Sequence, residues 1–366
     1  MAISQEKFVA ITSKRVVTSQ VISGFGALLV CDGSANTASG ATVVAKTFQS
    51  YQEFEEDTVT SALMSTASKK AVENFFAIGN GNAPLTVAIA AGASGTAASA
   101  IAAVTTNWKI AFSADFQSTT ASGDDPSPLD AFVTAVNAAG GVAVACVNSV
   151  TASAAVAAVD YASDDVIKMA AYAAADCALI PAILATTNYS NYIKKYFMAS
   201  AGSITAFCTN DTDYETLIAA KFNFVGSIKT FGSSVKYLLG ATTSKGTDLV
   251  SYFGQLWIEA QCKDNILNLM ANEILTSANA IADVKNCVVD AATAGVTNGL
   301  IVVGKQFDAD DSARIIGLTG SEDGVNTVVT NGFWIDAAIV SNQVSYVLVY
   351  ADATGIKKVD GTHYIV

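Results

Sequence analysis

The sequence predicts an α/β protein, α+β overall, and three observations carry that prediction. Between Gly26 and about Asn210, short apolar runs alternate with helical patterns. From about Asp211 onward, two long stretches repeat apolar residues at helical spacing and lead into strand-like runs. At the end of the chain, Gln343 to Ala351 (QVSYVLVYA) and Ile356 to Val366 (IKKVDGTHYIV) alternate as strands do, around a turn at Asp352-Ala-Thr-Gly355. The chain is therefore read as an N-terminal extension (residues 1–24), an α/β domain (25–210), a C-terminal α+β domain (211–342) and a C-terminal strand extension (343–366).

Taken in order, Lys7 to Val17 (KFVAITSKRVV) is β-branched and of mixed polarity, which suits a strand lying outside the main core, before the Gly24-Phe25-Gly26 break. Ala27 to Cys31 (ALLVC), Leu85 to Ala90 (LTVAIA), Lys109 to Ser113 (KIAFS) and Val142 to Asn148 (VAVACVN) are short and apolar, as strands covered on both faces are. Helical patterns lie among them at Ser61 to Phe76, Thr96 to Thr106, Pro128 to Ala139 and Ala152 to Ala162. That alternation predicts a largely parallel sheet. Gly123-Asp-Asp-Pro-Ser-Pro128 marks a helix start with Asp124 or Ser127 as its cap, and Gly140-Gly141 ends the helix.

In the second region Tyr252, Phe253, Leu256, Trp257, Ala260, Ile266, Leu267 and Met270 follow helical spacing. Ile281, Val284, Val288 and Val289 do so in the next helix, and the two join near Thr276 to Asn279. Leu300 to Val303, Asn326 to Thr330 and Phe333 to Ile339 then read as strands leading into the terminal pair. Two strand-like runs at a terminus make a sheet edge that calls for a partner, and a neighbouring copy of the same chain is the partner expected.

Composition narrows the function. A chain of 366 residues can bury a real core without metals or disulfides. Only 14% of residues are charged, the net charge is -12, and Arg15 and Arg314 are the only arginines, so the basic surface that nucleic acid requires is missing. His363, the only histidine, lies in the terminal strand and reads as a surface or interface ring rather than a general base. Cysteines 31, 146, 177, 208, 262 and 287 are widely spaced, with no CxxC pair. Cys146 and Cys177 look like small buried hydrophobes; a reducing cytosol is the simplest context, with disulfides, including between subunits, left open.

The opening MAISQEKFVAITSKRVV has no apolar core of signal-peptide length. Despite a mean hydropathy of +0.40, the most apolar stretch, Leu85 to Val104, is interrupted by Gly92, Ser94, Gly95, Thr96 and Ser99. It makes a poor membrane span, and a soluble protein with no membrane partner is expected.

Catalytic patterns are scarce. GxSxG, HExxH, a Walker loop and GxGxxG do not occur, and Gly79-Asn-Gly81-Asn-Ala-Pro84 precedes a strand, where a phosphate loop would follow one. It reads as a turn. The acidic groups Glu53, Glu55, Glu56, Asp57 and Asp308, Asp310, Asp311 lack the order and closing glutamate of a calcium loop and read as solvated loops. No catalytic residue, metal or cofactor is expected.

The residues also carry a resemblance. FGALLVCDG (25–33), TFQSYQEFEED (47–57) and AVENFFAIGNGNAPLTVAI (71–89) resemble segments of the short, myovirus-type tail sheath proteins of contractile-tailed bacteriophages. LVSYFGQLWIEAQCKDNILNLM (249–270), IADVKNCVVDAATAGVTNGLI (281–301) and the closing GFWIDAAIVSNQVSYVLVYADATGIKKVDGTHYIV (332–366) are similar to that family in order, more weakly in letters. The resemblance implies an α/β sheath domain plus a C-terminal α+β domain with terminal strands exchanged between subunits. It implies stacked hexameric rings around a tail tube, contraction that drives the tube through the host envelope, and a place in the virion tail after assembly in the host cytoplasm. The implied partners are further copies of the chain, the tail tube protein, and baseplate and tail terminator proteins.

The expected inter-subunit strand residues are Lys7, Phe8, Val9, Ile11, Val16 and Val17 at one end, with Val344, Tyr346, Leu348, Tyr350, Ile356, Val359, Tyr364 and Ile365 at the other. Lys263, Asp264, Asp283 and Lys285 are candidate tube-facing residues, with an ordinary solvated helix face as the alternative. A tail tube or other virion structural protein, a bacterial surface-array protein and an enzyme remain as other readings. The two long helical patterns, the missing signal peptide and the missing catalytic motifs weigh against them in turn.

Overall fold

The structure is a computed structural model. It describes residues 24–354 apart from 37–41, 80, 82, 93–94, 120–126, 190–195, 231, 273–274, 277 and 342. Its elements run β1 (Ala27–Cys31), β2 (Val44–Phe48), α1 (Tyr51–Glu56), α2 (Thr58–Ala62), α3 (Thr66–Ile78), β3 (Leu85–Ile89), α4 (Ala97–Ala102), β4 (Ile110–Phe112), β5 (Ser118–Thr119), α5 (Ser127–Ala138), β6 (Val142–Asn148), α6 (Ala152–Ala158) and β7 (Val166–Ala171). After a 3-10 turn at Ala174–Ala178 come α7 (Leu179–Ala185), α8 (Asp211–Ala219), β8 (Asn223–Thr230) and β9 (Ser233–Leu239). The remainder is α9 (Leu249–Asn272), α10 (Ala280–Thr297), α11 (Ala309–Thr319), α12 (Glu322–Asn331), β10 (Phe333–Val340) and β11 (Gln343–Tyr350).

The helices begin where the side chains dictate. Ser50, Asp57, Ser65, Thr96, Thr151, Asn210, Asp308 and Ser321 each accept a hydrogen bond from a backbone N–H two or three residues on. Such caps satisfy donors that the first helical turn leaves unpaired. Ser50 and Glu53 cap α1 from both sides: Ser50 Oγ accepts from Glu53 N at 3.2 Å, and Glu53 Oε2 accepts from Gln49 N at 2.7 Å. The SYQE letters of the sheath resemblance therefore encode a helix start.

The chain divides into two compact units. In one, residues 24–187 and 195–249, a single sheet has the order β2-β3-β1-β4-β6-β7-β8-β9, with β5 pairing the end of β6. Its central strands are parallel, and β2 and β9 run antiparallel to their neighbours. Every residue of β1, β3, β4 and β7 is buried, as parallel strands covered on both faces must be. On one face Leu28, Val30, Ala88, Ala111, Ala143, Ala145 and Val147 meet α4, α5, α6 and α8 in one cluster that includes Leu129, Phe132 and Phe222. The alanines keep that sheet face shallow and let the helices approach. On the other face α3, α7 and the 3-10 turn cover the sheet, with Phe75 stacked on Phe112 at 6.1 Å and edge-on to Phe76 at 5.4 Å.

The second unit holds residues 250–354 and residues 188–189. Tyr252, Phe253, Leu256, Trp257, Ile258, Ala260 and Cys262 are buried around most of α9, which makes it a core helix rather than a surface one. Close approach needs glycine here: a Cβ on Gly254 would lie 2.5 Å from the Leu300 side chain. The boundary read from the pattern of strand and helix runs, between residues 210 and 211, lies inside the unit that ends at residue 249, because β8 and β9 continue the large sheet.

The structure corrects three local expectations. Asn326 to Thr330 is not a strand but part of α12, which Ser321 caps and Gly332 closes at φ 84. Leu300 to Val303 forms no strand; it contributes only an isolated bridge, Ile301 to Asp352. Asp308, Asp310 and Asp311 start α11 instead of forming a loop, and Glu53, Glu55 and Glu56 lie in α1 with Asp57 capping α2. Among the described residues no helix is long and apolar enough to cross a membrane.

Replacing Phe75 with alanine empties a fully packed site between α3 and β4, and a loss of about 3–5 kcal/mol in unfolding free energy is expected. Chemical denaturation reads it as a lower midpoint at unchanged slope. A loss below about 1 kcal/mol would show that this layer collapses around the gap.

Candidate assembly surface

The C-terminal strands form a sheet of their own. β10 pairs antiparallel with β11 in a single register from Phe333↔Tyr350 to Val340↔Gln343. A two-residue connection closes it, with Ser341 at φ 50, the positive φ that such tight hairpin turns demand. A lone two-stranded ribbon is at best marginally stable in water, so its faces must be supported.

Support comes from both sides near the base. α10 packs against β10 and β11, and Lys285 on α10 lies 3.7 Å from Asp336 on β10. Val344, Tyr346, Leu348 and Tyr350 share one face of the ribbon, opposite Ile339, Ala337, Ile335 and Phe333. On that face Tyr346 lies within electrostatic reach of Cys262 on α9. Burial pushes the Cys262 thiol up to about 12, and burial likewise raises both Tyr346 and Tyr350 above the ordinary phenol value. On the other face Trp334 and Val349 join Ile315, Val328, Ala351, Phe307 and Val325.

Beyond this footing the ribbon carries exposed apolar side chains. Ile339 is 38% exposed, Val340 56% and Val347 46%. Among the described residues no strand pairs with the outer edge of either β10 or β11. Two rows of backbone donors and acceptors are thus open to an added strand, which is how β-augmentation begins.

Past Tyr350 the chain is clasped. Ala351 N donates to Gly332 O at 2.8 Å, and Val302 N donates to Ala351 O at 2.8 Å. The Asp352 carboxylate accepts from Ser251 Oγ at 2.6 Å, Lys305 Nζ at 2.8 Å and Thr354 Oγ1 at 3.1 Å. Burial pushes its pKa upward, but the bonds from Lys305 and Ser251 outweigh that and hold it below the usual value.

The other place to look for chemistry is the crevice at the carboxyl ends of β1 and β4, where the strand order reverses and open α/β sheets hold ligands. Asp115 lies there. It accepts from Ser65 Oγ at 2.5 Å, Ser68 Oγ at 2.9 Å and Asp32 N at 3.1 Å. Burial raises its pKa. Nearby Asp176 is pushed up to about 6 by burial, with Asn74 Nδ2 3.4 Å from its carboxylate. The hydroxyls facing Asp115 belong to the first turn of α3 and its cap, so these contacts hold the helix onto the sheet.

The expected site residues fall in three places. Val344, Tyr346, Leu348 and Tyr350 come together on β11 with their side chains half-buried in their own subunit. Lys7, Phe8, Val9, Ile11, Val16, Val17, Ile356, Val359, Tyr364 and Ile365, with His363, lie outside the described residues. Of the tube-facing candidates, Lys263 is corrected: it is 1% exposed, and its ammonium pairs at 3.1 Å with Glu259 one turn earlier on α9. It does not sit on a solvated face. Asp264 and Asp283 are half-buried, and Lys285 faces Asp336. The clasp of Ser251, Lys305 and Asp352 was not anticipated, since residues 101 and 47 positions apart give no local signal.

No protein-family model matches the sequence, and no curated protein matches it. Among solved structures, the chain is similar to the crystal structure of the sheath tail protein Lin1278 from Listeria innocua. The TM-score is 0.51 at 10% identity, over 90% of this chain and 95% of that one. At that identity the likeness is one of fold, and it runs through both units rather than one.

A carboxylate held below its ordinary pKa adds stability above the unfolded value of about 4 and loses it as pH falls through the folded value. Asp352→Asn is therefore expected to cost about 1 kcal/mol at pH 7, a figure discounted for the partial exposure of the clasp. The difference from the unaltered chain should shrink below pH ~4. Thermal unfolding across that range measures it, and a difference that grows toward acid would contradict the assignment.

Proposed function

We propose that the chain is a structural subunit of a contractile phage tail sheath. Copies polymerise as stacked hexameric rings around a tail tube, and their repacking into a shorter, wider helix drives the tube through the host envelope. The observation that carries this reading is the hairpin β10–β11, neither edge of which pairs with a strand among the described residues, in a chain whose fold is similar over nearly its whole length to that of a sheath tail protein.

In this reading each open edge takes a strand from a neighbouring copy. Main-chain hydrogen bonds supply affinity, and the alternation of Val344, Tyr346, Leu348 and Tyr350 against their own subunit holds the receiving edge in place. The donated strands are the segments around Lys7 to Val17 and Ile356 to Ile365. Work in contraction comes from exchanging one set of interfaces for another, and the exchanged strands persist through the change. The subunit assembles in the host cytoplasm and resides in the virion, with the tail tube, baseplate and tail terminator proteins as partners. It carries no catalytic function, cofactor or metal, and binds neither nucleic acid nor membrane directly.

Purified full-length protein is expected to form hollow cylinders with six-fold rings by negative-stain electron microscopy. Removing residues 356–366, or residues 1–17, should leave a folded monomer that no longer polymerises. Normal hollow polymers from both truncations would defeat strand exchange, and a strictly monomeric full-length protein at high concentration would defeat the sheath reading.

A further inference from the structure

We propose that Lys305 is the end-stop of the β11 edge: it closes the outward backbone of Asp352 and so fixes how far a strand from a second copy can run toward the base of the ribbon. The incoming strand rests on the assembly reading. What is added is which residues receive it and what sets its register.

The bonds just past β11 show which way its backbone faces. Ala351 N donates to Gly332 O at 2.8 Å, Val302 N donates to Ala351 O at 2.8 Å, and Ala353 N donates to Leu300 O at 3.1 Å. These partners lie together, since a Cβ on Gly332 would come within 2.8 Å of Ile301 and 3.3 Å of Val303. Ala351 and Ala353 therefore turn their polar backbone groups inward, toward β10 and the segment 300–302 that takes over from it. Backbone direction alternates along an antiparallel strand, so Val344, Tyr346, Leu348, Tyr350 and Asp352 turn theirs outward.

Among the described residues no strand pairs with the outer side of Val344 to Tyr350. Asp352 differs. Its carbonyl oxygen accepts from Lys305 Nζ at 3.1 Å and from Thr354 N at 3.2 Å, which uses both lone pairs. The same ammonium holds one carboxylate oxygen at 2.8 Å, while Ser251 Oγ holds the other at 2.6 Å. Lys305 is thus fixed by two bonds at the end of the edge, with its ammonium 6.0 Å from the centre of the Phe307 ring.

The need for a stop follows from strand periodicity. A slip by one residue turns every side chain of an added strand to the other face, so alternation excludes it. A slip by two keeps each side chain on its face, and alternation leaves such registers nearly equivalent. A closed end separates them: pairing is fullest when the added strand reaches Tyr350, and it cannot continue onto a carbonyl that is already bonded. Lysine is among the residues that blunt sheet edges, and here it acts at one point.

Hydrogen exchange on the full chain, dispersed and assembled, tests the end-stop when read residue by residue after quenching. On assembly the amides of Val344, Tyr346, Leu348 and Tyr350 are expected to slow by about tenfold or more, with Asp352 unchanged. In Lys305→Met, which keeps the apolar stem and removes the ammonium, the slowing should extend to Asp352. Circular dichroism checks that the variant is folded, and Lys305→Gln, with the same expectation, replaces it if not.

Slowing that reaches Asp352 in the unaltered chain overturns the end-stop, as does its absence from the four outward amides before it. A folded variant with the unaltered pattern also overturns it. The two readings fail separately. Six-fold tubes without this pattern leave the sheath reading standing, and the pattern in an assembly without six-fold rings leaves the end-stop standing; a chain that stays dispersed at high concentration defeats both.

Discussion

An unpaired strand edge exposes a row of N–H and C=O groups, and each of the two sheets in this protein meets that constraint differently. The large sheet closes its β9 edge with its own chain: Met198 N donates to Leu238 O at 2.8 Å, and Leu238 N donates to Ala199 O at 2.9 Å. At the β2 edge the strand is short and carries Lys46, which pairs with Asp57. A lysine on an edge strand discourages an incoming chain. Among the described residues the small sheet does neither: no strand pairs with the outer edge of β10 or β11, and Ile339, Val340 and Val347 are exposed. Among the described residues the chain covers an edge of one sheet and pairs no strand with either edge of the other.

The polar groups of the α/β layer tell a compatible story. A crevice at a strand-order reversal is where such sheets gather chemistry, and here Asp115 accepts hydrogen bonds from Ser65, Ser68 and the Asp32 N–H. Those bonds anchor α3 over the sheet, alongside the Phe75–Phe112 stack. The fold is an architecture known for ligand sites, but function has to be argued from the site itself, and the polar contacts at this one serve packing.

In the other unit, polar groups do the positioning that apolar contacts cannot. Trp334, Val349, Ile315 and Val328 give the ribbon its footing. Direction comes from groups with fewer acceptable arrangements: Asp352 sits between Ser251 and Lys305 at the exit of β11. Apolar area is non-directional and scales with surface, while a buried hydrogen bond is lost outright by a small displacement.

Much of this was determined by the sequence alone, because it is written in patterns shorter than one element. ALLVC, LTVAI and VAVACVN are strands as read, since being covered on both faces selects continuous apolar runs; the long helices around Trp257 and Val288 follow from spacing, and the strand QVSYVLVY from alternation. Where local signals competed, the reading failed: Asn326 to Thr330 is β-branched, yet Ser321 and Gly332 cap a helix across it. Only the tertiary structure decided that Lys263 lies inside rather than on a solvated face, because Glu259 and Lys263 are one turn apart on a helix whichever way that helix faces. It also decided that β11 pairs with β10, that residues as far apart as Ser251 and Asp352 meet, and that among the described residues one sheet has a covered edge and the other has none. Those outcomes depend on which surfaces remain after every element has packed, and no local pattern encodes that remainder.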